Sequence, residues 1–254
     1  KQLIQSEKMA SLGELTAGIA HEIQNPLNFV TNFSDISREL TVEMKEELNA
    51  KHYEEANKIA DDLIENQNKI LHHSKRADSI VKGMLQHSRA STGQKENISI
   101  NTLVDEYLRL AYHGLRAKDK SFNATLNIDL DPANPITHLV PQDIGRVLLN
   151  IITNAFHAMQ GKKASAGGDY QPVLSLKTRV ADKILTIEIK DNANGVPEHL
   201  REKIFQPFFT TKSAGQGTGL GLSLAYDIAK AHGGSIRLES SSGQGSVFTI
   251  EIPA

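Results

Sequence analysis

The chain has 254 residues, 39% hydrophobic and 23% charged, enough for one large domain or two smaller ones, each with its own core. A net charge of -2 gives no field of one sign for nucleic acid or an anionic membrane, and the absence of cysteine excludes disulfides, thiolate metal sites and a cysteine nucleophile. No apolar run approaches the roughly 18 residues that span a bilayer, no signal peptide is visible, and the opening at Lys1 in mid-pattern reads as a piece of a longer protein.

Residues 1–92 read as helical. Met9, Leu12, Ile19, Ile23, Leu27, Val30 and Phe33 recur at helical spacing and form one stripe. Leu63, Ile70, Ala77 and Met84 fall seven apart, the period of a coiled-coil seam, and a turn is expected near Asn49 to His52. The result is a helical hairpin. Two helices alone bury little, so the stripes are expected to meet a second copy in a dimeric four-helix bundle; packing against the rest of the same chain is the alternative.

Ser91-Thr92-Gly93-Gln94 is a polar breaker that sets the domain boundary, 1–92 and 93–254. Beyond it the pattern predicts a strand over Asn97 to Ile100, a helix over Leu103 to Arg116 and a strand over Phe122 to Leu130. Pro141 opens a helix through Met159, at the first helical position where its missing N–H costs nothing. A loop follows over Gly161 to Gln171, then a hairpin of Val173 to Val180 and Ile184 to Lys190. Leu220 to Ala231 is a helix ended by Gly233-Gly234, and Ile236 to Glu239 with Val247 to Ile252 forms a last hairpin. This alternation predicts an α+β sandwich, a mixed and mostly antiparallel sheet covered by helices.

Five clusters carry chemistry. His21 sits within the first helix beside Glu22, with Asn25 one turn on and Pro26 interrupting the ladder, which kinks a helix or costs about 3 kcal/mol. A neutral imidazole is nucleophilic near pH 7, and Glu22 can take its ring proton; a plain surface histidine has the same local pattern. Asn150 and Asn154 share a helix face and offer two amide oxygens to Mg²⁺, with His157 one turn further; solvated amides look alike in sequence. Asp191 ends a strand, ahead of Asn192-Ala193-Asn194-Gly195, where a carboxylate can accept from an exocyclic amine such as that of adenine and where a plain turn is the simpler reading. Phe205 to Lys212 clusters three phenylalanines before a lysine able to meet a phosphate. Gly215 to Leu222 alternates glycine into a helix start, suited to a polyphosphate, yet lacks the Gly-Lys-Ser/Thr of a P-loop and the βαβ context of a dinucleotide fold.

In this order the five pieces resemble the motif set of sensor histidine kinases of two-component systems. His21-Glu22-Ile23-Gln24-Asn25-Pro26-Leu27 resembles the phosphoacceptor box and Asn150 through Asn154-Ala155 the N box. Asp191 to Gly195 resembles the first glycine box, Phe205 to Lys212 the F box and Gly217 to Gly221 the second glycine box; Gly245 through Thr249 also fits. The resemblance covers nearly the whole chain. It implies a dimerisation and histidine-phosphotransfer domain, then an ATP-binding domain of the type shared with Hsp90, gyrase B and MutL. It implies His21 as phosphoacceptor, Glu22 as general base, and a role for Asn25 in dephosphorylating the regulator. Asn154 and Asn150 would bind Mg²⁺, and Asp191 would read the adenine amine. His157, Gly195, Lys212, Gly217, Thr218, Gly219, Leu220, Gly221 and Thr249 would complete the nucleotide site. The implied cofactors are ATP and Mg²⁺, and the implied partners a second copy of the chain and a response regulator receiver domain, with no nucleic acid. A cytoplasmic location follows, with membrane contact only through segments outside this sequence.

Two positions depart from the family pattern. Ala193 stands where Asp-x-Gly-x-Gly has its first glycine, so a methyl group would obstruct a left-handed backbone or a close nucleotide approach. His157 stands where many relatives carry lysine or another polar residue. A scaffold or phosphatase that no longer binds ATP, motivated by Ala193, and an ATP-driven clamp are the competing readings; the His21 helix argues against the clamp.

Overall fold

A computed structural model describes residues 2–88, 93–166, 168, 170–212 and 217–254, with side chains in the first two helices described from residue 20 to residue 81. Met9, Leu12, Ile19 and Met84 of the expected stripes, Ser91 and Thr92 of the breaker, and Gly215 and Gln216 of the glycine-rich run lie outside the described residues or side chains. The chain divides into two compact units, Lys1–Ser88 with Thr210–Thr218, and Arg89–Phe209 with Gly219–Ala254.

The first unit is the expected hairpin. Helix α1 (Gln2–Asn49) and helix α2 (Tyr53–Ser88) pack side by side across a turn in which Lys51 takes φ +64° and His52 Nδ1 lies 2.7 Å from Glu47 Oε2. The seam falls at three- and four-residue steps: Ala56, Ile59, Asn66 and Ile80 are buried on α2, with Leu63, Ile70, His73 and Ala77 half-buried between them. On α1 the matching positions are Pro26, Val30, Phe33, Ser37 and Leu40. Helix α1 runs through Pro26 without a break. The ring removes one ladder donor but is itself buried in the seam, and that packing offsets the loss. Leu27, placed in the core stripe by its spacing, is 46% exposed because a two-helix hairpin has a single seam.

The second unit is a two-layer sandwich. Strands β2 (Thr125–Asp129), β4 (Val173–Ala181), β5 (Ile184–Asp191), β6 (Ser235–Ser241) and β7 (Gly245–Pro253) form a five-stranded sheet in the order β2-β4-β5-β7-β6. Only the β2–β4 pairing is parallel, so the sheet is mixed and mostly antiparallel. Strands β1 (Glu96–Ser99) and β3 (Ile136–Leu139) pair separately; β3 is absent from the sequence reading because Ile136 to Leu139 is too short to show a period.

Helices α3 (Ile100–Lys118), α4 (Pro141–Ala166) and α5 (Gly221–Ala231) cover one face. Ser99 caps α3 by accepting from Thr102 N, which starts the helix three residues before the expected Leu103. Helix α4 lies between α3 and α5 and buries Ile144, Leu148, Ile151, Ile152 and Phe156 against Leu174, Leu176, Ile187 and Ile189. Each such side chain contributes about 1.5–3 kcal/mol of burial. The tight β4–β5 turn puts Asp182 and Lys183 at φ +51° and +62°, the two left-handed residues that keep a hairpin twisting with its strands.

Candidate functional site

Along α1, His21 is exposed and its Nδ1 lies 3.3 Å from Asn25 Nδ2, one turn on. An amide nitrogen donating to Nδ1 leaves the proton on Nε2; the amide turned about offers Oδ1 to an Nδ1 proton and leaves Nε2 with its lone pair. The Asn25 amide can thus pair with either tautomer, according to which way it is turned. Glu22, adjacent in sequence, turns its carboxylate to α2, where Oε2 lies 3.5 Å from Arg76 Nη2. Arg76 is a member of this group that sequence reasoning did not find, since its pairing depends on how α2 folds back.

In the second unit, Asn150, Asn154 and His157 lie half-buried on α4. Asn150 borders the start of α5: a Cβ on Gly221 would stand 3.3 Å from Asn150 Oδ1. The first turn of α5 therefore packs closely on Asn150, and a side chain at residue 221 would have to push the Asn150 amide aside by a few tenths of an ångström. Leu220, the residue capping α5, brings no side-chain oxygen to that turn. The main-chain N–H groups of the first turn and the positive helix end suit an anion. Gly219 takes φ +68°, and a Cβ there would meet the carbonyl carbon of Phe208 at 2.3 Å; Phe208 itself holds φ +65°. For a bulky residue that conformation is strained, so the run of chain between these two positions starts and ends at left-handed residues.

Asp191 ends β5 on the buried face, 4% exposed, and its Oδ1 accepts from Ala193 N at 2.8 Å. Burial pushes the carboxyl up from the ordinary carboxylate range, against the opposing pull of Ala193 N, Ser246 N and the Lys162 charge. Ala193 is fully buried in the core, and its φ is not positive. The left-handed backbone that would make its methyl obstructive is therefore not used at residue 193. It is used at Gly195, φ +70°, where a Cβ would come 2.2 Å from Ser241 O.

Lys162 and Tyr170, which were not singled out in the sequence, hold this turn together with Asn192, quoted there only within the Asp191 to Gly195 run. Lys162 Nζ donates to Asn192 O at 2.9 Å, Ala193 O at 3.0 Å and Gly243 O at 3.3 Å. Tyr170 OH donates to Asn192 Oδ1 at 2.7 Å, and its hydroxyl is pushed up to about 12 by burial and by the Asp191 charge. The expected loop from Gly161 hid Lys162; α4 in fact continues to Ala166.

Thr249 does not join this group. In β7 the buried face carries Ser246, Phe248 and Ile250, so Thr249 projects to the opposite face of the sheet from Asp191. In the segment grouped with the helical unit, Lys212 N donates to Thr210 Oγ1 at 3.1 Å, and a Cβ on Gly217 would meet Lys212 Cδ and Thr210 Oγ1, each at 3.2 Å. Burial lowers the proton affinity of the Lys212 amine, and Thr218 is half-buried. Among the described residues no His, Asp and Glu cluster suited to a metal occurs; Asn150 and Asn154 carry amide oxygens of the kind Mg²⁺ accepts.

Residues 139–254 match the family model described as histidine kinase-, DNA gyrase B-, and HSP90-like ATPase. The signal transduction histidine-protein kinase AtoS of Escherichia coli is 35% identical over all of this chain, which covers 36% of AtoS. The chain spans between a quarter and a half of the length of such curated relatives. The catalytic domain of histidine kinase ThkA is 30% identical with a TM-score of 0.52, over 63% of this chain and 95% of that domain. ThkA crystallised in complex with response regulator protein TrrA is 27% identical with a TM-score of 0.62, over 98% of this chain and 63% of that one. With these matches, and a helical hairpin followed by the α+β sandwich, the chain belongs to the sensor histidine kinases and carries an ATP-binding catalytic domain of their kind.

Proposed function

We propose that this chain is a histidine kinase core that uses ATP to phosphorylate His21 and passes the phosphoryl group to an aspartate of a response regulator receiver domain. The observation that supports it most is the seating of Gly221 on Asn150, which sets a helix start suited to an anion beside the Asn150 amide oxygen. Residues 1–92 serve dimerisation and phosphotransfer, and residues 93–254 bind the nucleotide. Leu27, Phe29, Ile36, Ile64 and Leu71, 44–62% exposed on the hairpin, supply the apolar surface for a second copy.

Asp191 accepts from the adenine amine, Gly195 keeps that turn tight, and the first turn of α5 from Gly219 through Gly221 receives phosphate oxygens together with Lys212, Gly217 and Thr218. His157, one turn beyond Asn154, approaches the same phosphates. The glycine cradle and the amides of Asn150 and Asn154 fit Mg²⁺, which neutralises phosphate charge when bound. A ring nitrogen of His21 attacks the γ-phosphorus, the bond to the bridging oxygen breaks, ADP leaves and the ring proton passes to Glu22. Asn25 fixes the imidazole beforehand and, in the reverse role, places a water for regulator dephosphorylation.

Incubation with γ-labelled ATP and Mg²⁺ tests the reading. Acid-labile, base-stable label that disappears in His21→Ala is the expected result. ATP turnover that persists in His21→Ala with no phosphoprotein at any time would return the clamp reading.

A further inference from the structure

We propose that Lys162 is a positioning residue that sets the base specificity of the nucleotide site, acting through Asp191. The inference rests on the reading of Asp191 as the group that meets the base.

Lys162 leaves α4 one turn before its end and reaches over the turn that follows β5. A single ammonium donates to the carbonyls of Asn192, Ala193 and Gly243, three acceptors from two separate loops. Gly243 N donates in turn to Asn194 O at 2.6 Å, so the post-β5 turn and the β6–β7 turn are tied from both sides. The Tyr170 ring lies 5.0 Å from the ammonium, and the Tyr170 hydroxyl holds Asn192 Oδ1, which also accepts from Val173 N at 2.9 Å. Asn192 Nδ2 donates to Gln171 O at 2.8 Å. The turn carrying Asp191 is thus held by one cation and one amide, with no other charged side chain donating to it among the described residues.

Two consequences follow for a base reader. The Asp191 carboxylate is aimed by the Ala193 N–H, and Ala193 is in turn held by its own carbonyl on Lys162. The cation also favours the ionised carboxylate, countering burial. An ionised, aimed carboxylate accepts from an amine at purine position 6 and repels the carbonyl oxygen that hypoxanthine has there. Loss of the cation loosens the aim and lets Asp191 take up a proton, and a protonated carboxyl can donate to that carbonyl. The discrimination between the two bases then falls while binding through the phosphates persists.

The test is the affinity of the whole chain for MgATP and for MgITP, measured by calorimetry for the parent, Lys162→Met and Asp191→Asn, with thermal denaturation as the folding check. Lys162→Gln, which keeps a donor for the carbonyls and removes the charge, replaces the methionine variant if that one does not fold. Lys162→Met is expected to lower the ATP-over-ITP preference about tenfold, mostly through ATP, as befits hydrogen bonds to a charged group. Its ATP affinity is expected to fall away at a higher pH than that of the parent as the solution is acidified. Equal losses for both nucleotides, or an unchanged preference, overturn the proposal. If Asp191→Asn abolishes the preference and Lys162→Met keeps it, the role of Lys162 fails alone. If the parent shows no preference, or Asp191→Asn retains it, the reading of Asp191 fails and the proposal with it.

Discussion

Glu22 on α1 and Arg76 on α2 meet at 3.5 Å across the hairpin, 33% and 35% exposed. The carboxylate proposed to take the His21 ring proton is held by a cation from the other helix. At this exposure such a pair contributes little to stability, about 0–1 kcal/mol. Arg76→Met is therefore expected to leave the denaturation midpoint nearly unchanged and to raise the initial rate of His21 labelling severalfold, since the carboxylate is released toward His21. Glu22→Gln is expected to lower that rate by about 10²–10⁴, the usual contribution of a general base, without loss of nucleotide binding. Comparison of labelling rates at saturating MgATP checks both; a Glu22→Gln variant that labels at the parent rate removes Glu22 from the chemistry.

Asp191 gives a prediction in which stability and binding move in opposite directions. Its folded carboxyl titrates above the ordinary value because burial disfavours the charge. In the window between the unfolded and the folded values the native state holds more protons, so stability falls as pH rises through that window and the cost is complete above it. Asp191→Asn removes the cost. At pH 7 the variant is expected to melt at a higher temperature than the parent, the gap closing as pH falls toward 4, while ATP affinity drops. Thermal denaturation at pH 7 and pH 4 reads the first part and calorimetry the second. A variant that melts lower than the parent at pH 7 contradicts the account.

Ala193 shows what a sequence pattern can and cannot say. The departure from glycine is plain in the sequence, and its meaning depends on a backbone angle that only the fold supplies. With φ outside the left-handed region and the methyl fully buried, glycine at residue 193 loses packing and gains chain entropy in the unfolded state. Ala193→Gly is expected to destabilise the chain by about 1 kcal/mol and to leave phosphate labelling unchanged. Urea denaturation and labelling together check it; a large gain in labelling would mean that nucleotide approach, rather than backbone angle, makes the methyl costly.

The helices, the two hairpins and the glycine and asparagine groups were legible because each carries its signal within a few residues: a 3.6-residue period, a proline at a helix start, a glycine at a turn. Strand β3, the last turns of α4 and the Arg76 contact were not, for one shared reason. Ile136 to Leu139 is strand only because β1 pairs with it, and Gly161 to Ala166 stays helical while Lys162 and Gln160 bond to Ala193 and Asp119. Tertiary partners decide these segments, overriding local propensity. Thr249 erred in another way: alternation along β7 sends its side chain to the face of the sheet opposite Asp191.

His73 supplies the last prediction. Its ring stacks on Phe29 at 4.5 Å and 15°, with Phe33 at 6.2 Å, and its buried Nδ1 has no hydrogen-bond partner among the described residues. Burial lowers its proton affinity first, and the neighbouring His72 and Arg76 add to the effect. A base whose folded value lies below the unfolded one contributes stability that is complete above the unfolded value, near 6.5, and is lost as pH falls through the folded value. The hairpin is therefore expected to hold its amides less well at pH 5.5 than at pH 7.5. His73→Phe keeps the stack and cannot take up a proton, so it is expected to flatten that difference. Hydrogen exchange of the amides from Ile59 to Ile80, with rates corrected for intrinsic pH dependence, reads the outcome directly. If parent and variant lose protection to the same degree on acidification, the pH response belongs to other groups, and the stacked imidazole is packing alone.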